Sequence, residues 1–478
     1  MLDHSRHRSR TSLAAVSVLA LALGGCMLGP GDEVVADAGI PVPTVWSEAG
    51  NPELAVNQAR YWEALGDPVL AELVELALEN NLDLAQAATR LIQARESLDQ
   101  ARASFLPQVS AGANSVRAVG DGSTSAITTT ISANASWEID LFGSIGSSAR
   151  AASFDYEASG YDLADLQRAI AGQVAQQVIN ARSTSLQLAI ARDTLSNQNE
   201  NLQIARWRNQ AGLVSSLDVE QARSQRAQTA ASIPSLESSL ASTANAISTL
   251  IGEPPGRVHA LLSEPADLLA PPELGGLGAP ADILRRRPDV RAAEVRLLSD
   301  SARIGVARAQ LFPALSLSGN IGTGDLGALN LFDMVTGTVT AGINQLLFDG
   351  GRTQSRIRAA EAVAEGSLAA WQKSILTALE EVESAIIARR STDRRLVELA
   401  DALDAANNAA ILARSQYQAG LTDFQTLLSS ESQLLSARNS MVSARADRAN
   451  AFIRLTQALG GGWNMEQMAL GPDNRNTP

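Results

Sequence analysis

From Ile127 to Leu141 apolar or small residues take every odd position: Ile127, Thr129, Ile131, Ala133, Ala135, Trp137, Ile139 and Leu141. Polar residues take every even one: Thr128, Thr130, Ser132, Asn134, Ser136, Glu138 and Asp140. Side chains alternate faces along a strand, so this period of two predicts a strand between two unlike solvents. The pattern recurs with Val335, Gly337, Val339, Ala341 and Ile343 against Thr336, Thr338, Thr340 and Asn344. Just upstream, Leu315, Leu317 and Ile321 alternate with Ser316, Ser318 and Asn320; residues 108–117 are the weakest of the four segments. Each reaches the 9–11 residues that a membrane strand needs. The plainer alternative is a half-buried sheet facing water.

A second period runs elsewhere. Trp371, Ile375, Ala378, Val382, Ala385, Leu396, Leu399, Leu403, Ala406, Ala410, Ala413 and Tyr417 keep 4,3 spacing, with Arg389 and Thr392 interrupting. Leu163, Ile170, Val174, Ala181, Leu188, Ala191, Leu195, Leu202 and Ala205 give an earlier series. Sustained heptads predict long helices in coiled-coil packing, with Ala-rich seams bringing their axes close. Shorter return helices are expected at about 215–251 and 423–459, the first kinked at Pro234. Asp67-Pro68 reads as an N-cap followed by Pro at the first helical position.

These elements come in two sets. Phe105-Leu106-Pro107 recurs as Leu311-Phe312-Pro313, and Leu141-Phe142-Gly143 as Leu347-Phe348-Asp349, at a shift of 206. Gln210-Ala211-Gly212-Leu213 recurs as Gln418-Ala419-Gly420-Leu421 at a shift of 208, which places a two-residue insertion between the second and third landmarks. The expected organisation is a leader 1–25, an extended segment 26–66, a first repeat 67–252, a linker 253–281, a second repeat 282–460 and a polar tail 461–478. The fold class is mainly α with a small β part: a duplicated unit of long coiled-coil helices plus four transmembrane strands per chain. Four strands cannot close a barrel, and lipid does not tolerate open edges, so copies of the chain must share one. Two copies give 8 strands and a filled interior; three give 12 and room for a pore.

Composition narrows the chemistry. The chain has one Cys and three His, two of them (His4 and His7) in the leader, leaving only His259. A Cys-based zinc site, a His cluster and an intrachain disulfide are excluded. Scattered acids without a clustered pair, and no phosphate-binding Gly-rich loop, argue against an enzyme. Lys373 is the only Lys, and the formal net charge is −13. Such an acidic chain is a poor partner for nucleic acid, and no cofactor is called for. Arg6, Arg8 and Arg10 precede an apolar run, Thr11 to Leu23, of signal-peptide length rather than spanning length. It ends in Leu23-Gly24-Gly25-Cys26, which resembles the bacterial lipobox and implies acylation (palmitate among the chains) at Cys26. Met27 after it implies passage to the outer membrane.

The repeats resemble the TolC/OprM outer-membrane efflux factors, in particular the lipidated, NodT-like subfamily serving RND-type multidrug pumps. The strongest match is Ile283-Leu284-Arg285-Arg286-Arg287-Pro288-Asp289-Val290-Arg291-Ala292-Ala293-Glu294, continued by Ala302-Arg303-Ile304-Gly305-Val306-Ala307. Asn81-Leu82-Asp83-Leu84, Trp137-Glu138-Ile139-Asp140-Leu141-Phe142-Gly143 and Phe348-Asp349-Gly350-Gly351-Arg352 also look like family landmarks. The resemblance implies a homotrimer, with a 12-stranded outer-membrane barrel continued by a periplasmic α-helical tunnel. It implies a periplasmic adaptor (membrane fusion protein) and an inner-membrane RND-type transporter as partners. Residues 118–126 and 322–333 become extracellular loops, and the two Gly-Leu turns become the tunnel tip.

The adaptor-docking tip is then Gly212, Leu213, Val214, Ser215, Gly420, Leu421, Thr422 and Asp423, although both glycines equally suit helix termination alone. The periplasmic gate falls on Tyr417, Asp218, Ser429 and Ser432. Relatives commonly carry an Asp and an Arg where this chain has Ser429 and Ser432, so the gate is expected to rest on Tyr417 and packing or to leak. Tyr417 is equally a heptad-seam residue. Glu138, Asp140, Asn134 and Asn344 are expected to line the lumen and to favour cations. The alternatives are the duct of a type I secretion system and a non-conducting periplasmic coiled-coil scaffold; the scaffold leaves the alternating segments unexplained.

Overall fold

A computed structural model describes residues 39–46, 58–117, 119, 127–272, 280–326 and 335–463. The leader, Cys26 and the expected loop 118–126, apart from Val119, lie outside the described residues. The order is α1 (Pro68–Asn80), α2 (Leu82–Ala103), β1 (Gln108–Arg117), β2 (Ile127–Ile139), α3 (Ser144–Gln210) and α4 (Ser216–Leu250). Then follow α5 (Arg257–Ser263), α6 (Pro280–Arg286), α7 (Pro288–Ala309), β3 (Ala314–Leu326), β4 (Val335–Asn344), α8 (Arg352–Ala419) and α9 (Phe424–Ala458). The 67 residues of α3 amount to about 100 Å of helix at 1.5 Å per residue. The chain divides into two compact units.

One unit holds the sheet with residues 91–159 and 292–372. Its four strands form an antiparallel meander in the order β1-β2-β3-β4. Ala133 pairs with Ala111 on one side and Ile321 on the other. β3 runs on to Leu326, so the loop expected from 322 begins later. Where β2 ends and β3 begins, Phe142 stacks on Phe312 at 4.8 Å, and Trp137 Nε1 donates to the Phe105 carbonyl at 2.9 Å. Ser299 Oγ donates to Asp155 Oδ1 at 2.6 Å, and Arg303 pairs with the same carboxylate. At Gly305 an added Cβ would lie 2.8 Å from Ser147 Oγ, so α7 and α3 approach closely there.

The other unit holds the main core, where Leu70, Leu73 and Val74 of α1 meet Val174 and Val178 of α3, Leu240 and Ile247 of α4, and Phe452 and Ile453 of α9. Asp67 caps α1, accepting from Val69 N at 2.9 Å, and its other oxygen receives Arg182 Nε at 3.0 Å. The segment before it is more than extended chain: Gln58–Leu65 is a 3-10 stretch that buries Tyr61, Trp62 and Leu65. Burial pushes the Tyr61 hydroxyl pKa up. The expected linker likewise carries a helix, α5, with Val258 and Leu262 in the core. α4 continues through Pro234 as one helix.

The repeat can now be aligned in space. α2 and α7 have equal length and begin 82 and 288, and β1 and β3 begin 108 and 314, a shift of 206. Gly143 and Gly351, both at positive φ, precede α3 and α8, and each accepts from the fourth residue on, Ser147 N and Ser355 N. The shift is therefore already 208 at the start of the long helices. The Leu-Phe match at 141 and 347 is two residues out of structural register, and the insertion lies upstream of the long helices. Short identities misled because both corners need an apolar pair, not because the pairs are equivalent.

The two repeats close on themselves at matching junctions. Asn81, 3% exposed, donates to the Leu250 carbonyl at 2.8 Å while its Oδ1 accepts from Asp83 N and Leu84 N. Arg287, 1% exposed, stands in the equivalent place and donates to the equivalent carbonyl, that of Ala458, at 3.2 Å. It also takes Asp289 at 2.6 Å and Glu381 at 2.7 Å. Burial opposes ionisation of the Asp289 carboxyl, but the Arg287 guanidinium outweighs it and holds the pKa below the ordinary value.

Candidate functional site: two sheet faces and two helix tips

Residues directly opposite in the ladder share a face, and every pair in the sheet joins odd to odd or even to even numbers. One face therefore collects Val109, Ile131, Trp137, Leu317, Ile321, Val335, Val339 and Ile343. The other collects Ser110, Asn114, Thr130, Asn134, Glu138, Asn320, Thr338 and Asn344. Val116 is an apolar exception on the polar face. Val339 and Ile343 are 81% and 75% exposed, so this apolar face meets no core among the described residues. On the polar face Asn320 Nδ2 donates to Asn134 Oδ1 at 2.5 Å, and Glu138 stands exposed opposite Ser316. Asp140 departs from expectation: β2 ends at Ile139, and the Asp140 carboxylate accepts from Gly146 N at 2.7 Å in the first turn of α3. It serves that helix start instead of continuing the strand's polar face, because a carboxylate is favoured where free amides collect.

Both tips end their long helices in the same way. Gly212 and Gly420 sit at φ 74°. Leu213 N reaches the Arg208 carbonyl and Leu421 N the Gln416 carbonyl, each at 2.8 Å. This is the Schellman arrangement, which needs a left-handed residue and so favours Gly. Leu213 and Leu421 project, both well exposed, while Val214 and Thr422 are half-buried. The following caps differ. Asp423 accepts from Thr426 N at 2.7 Å, and its contacts with Thr426 hold its pKa down. Ser215 sends its hydroxyl to Asp218 Oδ1 at 3.2 Å.

The four expected gate residues are not brought together as a charged latch. Ser429 and Ser432 are exposed on α9, and Asp218 serves the start of α4. Tyr417 is buried among Leu202, Ala205, Ala222, Phe424 and Leu427. Arg208, from the first repeat, lies 4.6 Å over its ring and donates to its carbonyl at 2.8 Å. Sequence reasoning missed the polar group beside it. Glu431, 9% exposed, accepts from Asn201 at 2.7 and 2.8 Å and from Arg414 at 3.0 Å, linking α3, α8 and α9. The available signal was an acid at a seam position in an otherwise Ser-rich block, which is unusual unless paired. Among the described residues no cluster of His, Cys, Asp or Glu could hold a metal ion, and no helix is long and apolar enough to cross a membrane.

Comparison with known proteins agrees with this architecture. The profile of the family "Outer membrane efflux protein" matches residues 73–253 and 279–461. The pyoverdine export outer membrane protein OpmQ of Pseudomonas putida is 32% identical over 441 residues, covering 90% of this chain and 93% of that one. Nodulation protein T of Rhizobium leguminosarum bv. trifolii is 29% identical over 93% of this chain and 96% of its own. The solved outer-membrane channel OprN superposes with a TM-score of 0.82 at 32% identity, over 92% of this chain and all of that one. With both repeats matched, the chain belongs to the outer membrane efflux protein family.

Proposed function

We propose that the chain is the outer-membrane exit duct of a tripartite efflux pump, working as a homotrimer and passing small molecules without chemistry of its own. One observation carries the reading: a four-stranded sheet with an exposed apolar face, a polar face and no strand pairing at the outer edges of β1 and β4 among the described residues. Such a sheet is stable in lipid only when closed with further strands. Twelve strands leave a lumen, lined here by Asn134, Glu138 and Asn344. Relatives named for pyoverdine export and toluene efflux support small-molecule traffic. Acylation at Cys26 would add a lipid anchor at the periplasmic leaflet. The tips, with Leu213 and Leu421 exposed, are the surface offered to a periplasmic adaptor, through which an inner-membrane transporter supplies the energy.

The purified full-length chain is expected to run as a heat-resistant trimer and to conduct ions in planar bilayers, preferring K⁺ to Cl⁻ through Glu138. A non-conducting trimer would remove the duct reading, and equal K⁺ and Cl⁻ permeability would remove the role of Glu138. The closed tip rests on packing around Tyr417 and on the Glu431 group. Tyr417→Ala is therefore expected to raise single-channel conductance, and unchanged conductance would reduce Tyr417 to a seam residue.

A further inference from the structure

The last three residues of β2 differ from the rest of the strand. β1 pairs with β2 only as far as Gln108 opposite Ser136, so in the ladder Trp137, Glu138 and Ile139 pair on one side only, with Leu317, Ser316 and Leu315 of β3. In the second repeat β4 likewise loses its inner partner at Asn344 opposite Ala314. The three residues that follow, Gln345, Leu346 and Leu347, belong to no strand in the single chain, and Leu347 is 91% exposed. They are the structural counterparts of 137–139. Gln345 Nε2 donates to the Leu311 carbonyl at 3.1 Å, as Trp137 Nε1 donates to the equivalent Phe105 carbonyl. Gly351 precedes α8 as Gly143 precedes α3.

In the first repeat, what completes 137–139 is the beginning of the next hairpin, Leu315 to Leu317. The counterpart of that segment in the first hairpin is Val109 to Ala111, on the outer edge of β1. The geometry points to a specific joint between copies: Gln345–Leu347 become strand only when they pair with Val109–Ala111 of the neighbouring copy. Leu347 stands opposite Val109 and Gln345 opposite Ala111, with Ile343 opposite Ala113 and Ala341 opposite Ser115 further along. This joint rests on the homotrimeric duct proposed above and deepens it by fixing the register of closure. Odd positions meet odd ones, so the apolar face runs across the joint without a step, and Leu347 meets Val109, itself 73% exposed. A slip of one residue would place polar side chains on the lipid face. A slip of two that set Gln345 opposite Val109 would keep the faces but leave Leu347 beyond the ladder.

Paired cysteines distinguish these outcomes, since opposite Cβ atoms lie about 4.5–5.5 Å apart, near enough for oxidative linkage. In the full-length chain, Val109→Cys with Leu347→Cys should yield covalent dimers and trimers after mild oxidation, several-fold more than Val109→Cys with Gln345→Cys. Each single variant should remain trimeric by native mass measurement. Ile139→Cys with Leu315→Cys is the internal control, linking the equivalent pair within one chain. Stronger linkage at Gln345 than at Leu347 would overturn the register while leaving the trimer. Failure of both intermolecular pairs in intact trimers, with the control linked, would overturn the joint itself. A monomeric unsubstituted chain would overturn the homotrimer reading.

Discussion

The first repeat turns at Asn81 and the second at Arg287, and both residues reach the carbonyl that ends the return helix of their own repeat. The first junction is neutral: an amide that donates once and caps α2 through its oxygen. The second is charged: a buried guanidinium shared by Asp289 and Glu381. The position equivalent to Glu381 in the first repeat is Gln173, so the partner changed along with the centre. Two solutions to one geometric need differ in what happens when they are cut. Removing the amide leaves one carbonyl and the α2 cap unmet, all neutral groups, whereas removing the guanidinium leaves a carbonyl and strands two acids.

We therefore predict the largest loss for Arg287→Met. Breaking a buried pair costs about 3–5 kcal/mol, and because Asp289 and Glu381 retain some solvent the lower end is expected. Chemical denaturation of the solubilised protein measures it, and a loss below that of Asn81→Ala would dissolve the contrast. Next comes Gly252→Ala. Its φ of 71° disfavours a side chain by about 1–2 kcal/mol, and the new Cβ would sit 2.7 Å from the Asn80 carbonyl oxygen. The matching Gly460→Ala, with φ 84° and its nearest neighbour at 3.4 Å, should cost measurably less in the same assay. Asn81→Ala, losing a cap and one buried hydrogen bond, should cost about 2 kcal/mol.

The smallest effect is in pH dependence. A carboxyl with a lowered folded-state pKa stabilises fully above its unfolded value, about 4, and loses that contribution as pH falls through the folded value. Asp289 is such a group, held down by Arg287. Melting temperature should therefore fall more steeply below about pH 5 in the wild type than in Arg287→Met, while Asn81→Ala keeps the wild-type slope. Parallel slopes in all three would mean that the charge at the second junction is idle.

Much of this architecture was legible beforehand. The four strands, the two long helices and the two returns follow from periods of 2 and 3.5, which the backbone imposes whatever the partner. Gly212 and Gly420 were legible because a left-handed residue ends a helix without strain. The failures were all of relation. Asp140 continued the alternation in sequence, yet the strand stops one residue earlier because a helix start claims its carboxylate. The insertion was misplaced because Leu-Phe is common at apolar corners. Glu431 and Arg414 are seventeen residues apart on two helices, and Asn201 lies on a third. No local pattern encodes that meeting. Arg287 was visible as part of a landmark, but its burial was not, since Arg in a basic run usually faces water.

The unequal junctions have a consequence for ancestry. Each junction lies wholly within its own repeat, so either half could be exchanged as a block without breaking it. What a guanidinium at one junction and an amide at the other do close is the exchange of smaller pieces between the halves. A chain built from two second repeats carries its own acids along with its arginine, but a hybrid that sets Arg287 among first-repeat surroundings meets Gln173 in place of Glu381. An exchange between the halves therefore keeps the second junction only when the transferred piece carries Arg287, Asp289 and Glu381 together.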